Sequence, residues 1–185
     1  MKKRDQQSWP VALCGMAVAV SVVLMLLGAI IPVAMFIAPA AGGILIGAVA
    51  VECGPRWAWT AYGAAGLLGL FVVPDKETAL FFVFLLGYYP LVKPRLDRIR
   101  PAPLRVGAKL LLCNGAVLLL YGLLYLLFPA GQGSDAFQLA AVALAAVTLA
   151  IGNAAFLLFD RALANLLRVY KLLWQPRLHK MLGKR

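Results

Sequence analysis

The chain is 185 residues long, 63% hydrophobic and only 14% charged, with 18 Lys and Arg against 7 Asp and Glu for a net charge of +11. That composition excludes an ordinary soluble domain and predicts a polytopic membrane protein. The basic excess reads as topology signal plus attraction to anionic lipid head groups, and gives no reason to expect nucleic acid as a partner.

Apolar runs close to the ~20 residues needed to cross a bilayer core predict six transmembrane helices, at 11–31, 38–53, 56–73, 78–92, 106–128 and 137–159. Turn and helix-ending residues separate them: Gly54-Pro55-Arg56, Pro74-Asp75-Lys76-Glu77, the Pro94 to Pro103 stretch, and Pro129 with Gly133. An all-α fold is expected because lipid cannot satisfy open backbone groups, and the alternation of a membrane β-barrel is absent. The organisation predicted is a six-helix transmembrane domain over 1–159 and a cytoplasmic basic amphipathic tail over 160–185.

One set of gaps holds Lys2, Lys3, Arg4, Arg56, Lys93, Arg95, Arg98, Arg100, Arg105 and the basic tail, while the opposite set holds only Lys76. By the positive-inside rule both termini lie in the cytoplasm of a multi-pass cell-membrane protein. The first run is too long for a secretory h-region and is read as a retained span.

In chain order, the first span carries two stripes of small residues, Ala12/Gly15/Ala19 and Ala17/Ser21, suited to close helix contacts. The uncharged stretch 28–41, with Pro32, Phe36 and Pro39, reads as an outer loop packed into the protein as a lid. Glu52 ends the second span and Lys109 lies one turn into the fifth at a similar depth, so the two can pair; Arg56 is an alternative partner for Glu52. With no carboxylate at mid-membrane, a simple proton-coupled carrier is disfavoured.

Asp75 suits a helix cap and Glu77 a first helical turn. Tyr88, Tyr89, Pro90 and Lys93 read either as an interfacial anchor with a snorkelling lysine or as a coupling motif. Asn114 and Asn153 can hydrogen-bond between helices for roughly 0.6–2 kcal/mol, or contact a ligand. Tyr121 and Tyr125, with Asp75, Glu77, Gln132, Ser134 and Asp135, could line a pocket opening outward beneath the lid.

In the tail, Leu163, Leu166, Leu167, Tyr170, Leu173 and Trp174 fall on one helical face opposite Arg161, Asn165, Arg168 and Lys171, until Pro176. That pattern predicts a helix lying in the inner interface or extending the sixth span directly. Cys14, Cys53 and Cys113 are expected to stay thiols, and with the single His179 they match no metal motif. No nucleotide-binding, HExxH or GxSxG motif is present, so neither enzymatic activity nor a cofactor is expected.

A chain of this length with six spans, both ends inside and an apolar first loop resembles the substrate-binding S component of energy-coupling factor (ECF) transporters. In that family small residues on the first span dock on a membrane coupling protein; the matching positions are Ala12, Gly15 and Ala19, and Ala17 and Ser21. The resemblance implies that 28–41 is the family's lid and that Glu77, Tyr121 and Tyr125 touch a small solute. It further implies a coupling subunit and a separate ATPase pair as partners. The alternative reading is a small membrane scaffold of envelope assembly without a ligand pocket.

Overall fold

The computed structural model describes residues 2–31, 34–127, 135–170 and 172, with the side chains of 2–7, 125, 127 and 135–146 left outside the description. Among the described residues there is no strand. The helices are α1 (Lys2–Ile30), α2 (Ala34–Cys53), α3 (Pro55–Val72), α4 (Lys76–Phe81), α5 (Tyr89–Leu96), α6 (Ala102–Leu127) and α7 (Asp135–Val169). A π-helical turn, Phe82–Leu86, joins α4 towards α5.

Among the described residues five stretches are long and apolar enough to cross a membrane: Ser8–Ile30, Ala34–Cys53, Lys76–Leu96, Ala102–Leu124 and Val147–Val169. This fits an integral, multi-pass membrane protein. The predicted span at 56–73 forms α3 but is not among the five. Its 18 residues begin with Arg56, Trp57, Trp59, Thr60 and Tyr62, which dilute the apolar content of its first half.

Local chemistry sets the breaks. Gly54 takes φ of +90°, a conformation open to glycine, and Pro55 pre-organises the first turn of α3. Asp75 caps α4, its carboxylate accepting from the backbone N–H of Glu77 at 3.1 Å and of Thr78 at 3.3 Å. Lys76 donates to the carbonyls of Leu70 and Val73 at 2.9 Å each and so closes the C-terminal end of α3.

The connection between α1 and α2 differs from expectation. α1 runs to Ile30 and α2 starts at Ala34, so Phe36 and Pro39 are helical residues and no long lid loop exists between them; Pro32 lies outside the described residues. Close packing stabilises the tight turn: a Cβ built on Gly28 would stand 2.5 Å from the Ala38 Cβ. Pro39 sits past the first turn and removes a single intrahelical bond, a cost that packing against neighbouring helices can offset.

Three apolar clusters hold the bundle among the described residues. Met25, Ile46, Val49, Ala58, Ala61, Ala65, Val73 and Phe82 join α1, α2, α3 and the π turn. Leu85, Leu86, Tyr89, Cys113, Phe156 and Leu163 join the π turn to α5, α6 and α7. Leu80, Phe81 and Leu120 form the smallest, between α4 and α6. Between the first two lies the glycine face of α2. Pro90 has no N–H, so the Leu86 carbonyl loses its α-helical partner and turns towards Gly43, where any Cβ would overlap it. A second carbonyl of the π turn, that of Val83, accepts the Tyr62 hydroxyl at 2.7 Å.

At its far end α7 is continuous through Asp160 to Val169, so the first part of the predicted tail extends the last span. Thirty-five residues at about 1.5 Å each make a helix of about 52 Å, longer than a bilayer core of about 30 Å. Leu163 is fully buried and Leu167 packs near Gly47 of α2, whereas Leu166 is exposed. The predicted tail residues Lys171, Leu173, Trp174, Pro176 and His179 lie outside the described residues.

Candidate functional site

Charged side chains collect at the two ends of the bundle. The end carrying the 97–101 connection holds a network of four charges. Asp160 of α7 accepts from Lys109 of α6 at 2.8 Å, from the Tyr89 hydroxyl at 2.5 Å, and from Lys93 of α5. Asp97 pairs with the same two lysines, at 2.6 Å to Lys109 and 3.4 Å to Lys93. Two ammonium groups and two carboxylates cancel. The lysine side chains are 6% and 8% exposed and Asp160 13%, while Asp97 is 41% exposed at the rim.

This arrangement replaces two expectations. Lys109 is engaged by Asp160 and Asp97, not by Glu52. Glu52 lies by Tyr170 at the end of α7, where burial first, then the neighbouring carboxylate, push the Tyr170 hydroxyl up to about 12. Lys93 does not snorkel to the surface but points into the bundle with Tyr89 beneath it, its ammonium 6.0 Å from the ring centroid. Asp160 and Asp97 were the missed residues. Their signal in the sequence is that each is a lone acid within a strongly basic segment.

Further along α6 and α7, Asn114 and Asn153 each keep a buried side-chain oxygen without a hydrogen-bond partner among the described residues. Antiparallel packing through the Lys109–Asp160 pair sets Asn114 about 7.5 Å beyond it along α6 and Asn153 about 10.5 Å along α7, so the two amides lie at similar depth.

At the opposite end Glu77 and Tyr121 do come together: the tyrosine hydroxyl donates to Glu77 Oε1 at 2.8 Å. Phe81 stacks edge-on with Tyr121 at 6.4 Å and with Phe36 at 4.9 Å. The Tyr125 side chain, Gln132 and Ser134 lie outside the described residues. Pro39 is buried in α2, so its position belongs to the helix core.

The small-residue stripes of α1 separate. Ser21 is fully buried and donates to the Gly42 carbonyl at 3.4 Å, and Ala17 packs against the first apolar cluster. Ala12, Gly15 and Ala19 are exposed, and a Cβ on Gly15 would meet nothing within 4 Å. Among the described residues no group of three or more His, Cys, Asp or Glu could hold a metal ion. The chain matches no protein-family model, and no curated protein or solved structure gives a significant match.

Proposed function

We propose that the chain crosses the membrane six times with both termini in the cytoplasm, and that it is the small-solute-binding subunit of an ECF-type uptake transporter. The observation that carries this reading is the free stripe on α1. Ala12, Gly15 and Ala19 are exposed along α1, and a side chain at Gly15 would meet nothing within 4 Å among the described residues, so this stripe is open to a neighbouring helix. Small residues let a second membrane helix approach closely, which suits docking on a coupling subunit. With α3 counted as a span, every strongly basic gap falls on one side.

A second reading, a membrane scaffold, draws on the neutralised charge network, which knits three helices together without leaving a charge to offer a solute. A mild-detergent pull-down of the tagged chain from its own membranes separates the two. Co-purification of a coupling membrane protein with paired ATPases is the expected result, and Gly15→Leu should abolish it. Recovery of envelope-assembly proteins instead would favour the scaffold.

A further inference from the structure

We infer that the end of the bundle holding Glu77, which is the outer end, binds a small organic cation, an amine or quaternary ammonium, between Glu77 and the rings of Phe36, Phe81 and Tyr121; the site gives the substrate class for the solute-binding reading and rests on it. The charges around it are already assigned, with one exception. Asp75 is committed to the α4 cap, and the Lys76 ammonium is committed to the carbonyls ending α3. Glu77 has spent one acceptor position, on the Tyr121 hydroxyl. A carboxylate offers about four lone-pair sites, so Glu77 retains acceptor capacity and negative charge.

The rings supply the rest of a cation's surroundings. Phe81 is 7% exposed and forms a fixed central wall. Phe36 meets it at an interplanar angle of 77° and Tyr121 at 84°, so successive rings turn corners and do not lie in one stack. The flanking rings are open, Phe36 at 52% and Tyr121 at 43% exposure, which leaves faces for a ligand to cover. A cation over an aromatic face gains about 0.5–2 kcal/mol, most when water is excluded, and quaternary ammonium recognition uses this combination of rings. An anionic solute would face Glu77 with no free cation among the described side chains beside it.

Three different helices build the site. Phe36 comes from the first turn of α2, Glu77 and Phe81 from one face of α4 at i and i+4, and Tyr121 from the end of α6. Their convergence depends on the short α1–α2 turn, which places Phe36 in a helix and not in a loop.

The test is titration of the full chain in lipid nanodiscs with choline and with its neutral isostere, 3,3-dimethylbutan-1-ol, read by calorimetry. Saturable choline binding, with a preference of about 10-fold or more over the isostere, is expected from a charged site. Glu77→Gln should weaken choline about 10-fold, and Tyr121→Phe, which keeps the ring, by about 2- to 5-fold. Phe36→Leu, at an exposed position that leaves folding intact, should weaken it by about 3-fold or more. Absence of saturable binding by choline and tetramethylammonium, equal binding of the isostere, or an unchanged Glu77→Gln variant overturns the site. Capture of a coupling subunit without cation binding would overturn this inference alone; cation binding without any coupling subunit would overturn the transporter reading and leave the site standing.

Discussion

Gly43 and Gly15 are both helical glycines flanked by apolar residues, and only their neighbours distinguish them. At Gly43 a side chain would collide with the Leu86 carbonyl, a backbone atom that cannot swing aside. Gly43→Ala should therefore cost about 3 kcal/mol or more, at the upper end of overpacking penalties. Gly15→Ala, facing open space, should change stability by less than about 0.5 kcal/mol, or gain slightly through helix propensity. Thermal melts of the two variants in the same detergent check the contrast. Among the charged residues, Asp160→Asn leaves two buried ammonium groups short of a counter-ion and should destabilise by about 3–5 kcal/mol, whereas rim-exposed Asp97→Asn should cost about 1 kcal/mol. Combining Asp160→Asn with Lys109→Met should recover part of the loss. Denaturant titration of the single and double variants would refute the network if the two aspartates proved equivalent.

Among the elements, the interrupted helix from α4 through the π turn to α5 has the plainest cause. Pro90 removes the N–H that the Leu86 carbonyl would use, and Gly87 closes the wider π bond to the Phe82 carbonyl at 2.7 Å. A widened turn is tolerated in the membrane only where freed carbonyls find partners, and Tyr62 supplies one. Tyr62→Phe keeps the ring contacts with Trp59, Phe82 and Tyr88 but strips the donor from the Val83 carbonyl. It should cost about 1–2 kcal/mol and raise amide exchange in the 82–90 segment above that of α2. Unchanged exchange there would show that the hydroxyl does not support the turn. α7 shows the opposite behaviour: nothing in its sequence interrupts the helix at residue 160, so it runs on to Val169 with Leu163 and Leu167 packed inward.

For the whole molecule, the contacts agree with an up-and-down bundle. Gly28 with Ala38 and Glu77 with Tyr121 meet at one end, and Lys93, Lys109 and Asp160 meet at the other. The six-span proposal makes the first end external. A cysteine placed at Lys76 in a background lacking the native thiols should react with a membrane-impermeant maleimide on intact cells. One placed at Arg98 should react only after permeabilisation. The reverse pattern would reject the topology because α3 would then fail to cross, and labelling of both would reject it because the Lys76–Leu96 segment would fail to cross.

The apolar runs and the Gly and Pro breaks were legible in the sequence, because each rests on composition or on residues adjacent in the chain. So were the Asp75 cap and the separation of small residues on α1 into two stripes, which follow from helical spacing. Partner choice was not legible. Lys109 meets Asp160, 51 residues away, instead of Glu52, because helix rotation and the path of α7 decide which of several acids at one depth faces it. The same holds for Phe36: an apolar stretch with two prolines reads as a loop until Gly28 and Ala38 are seen to pack the turn shut. Sequence sets what each segment can bury and where the chain can bend. Only the tertiary structure selects which charges meet, since pairing across helices depends on rotation and register, and these emerge from packing the whole bundle at once.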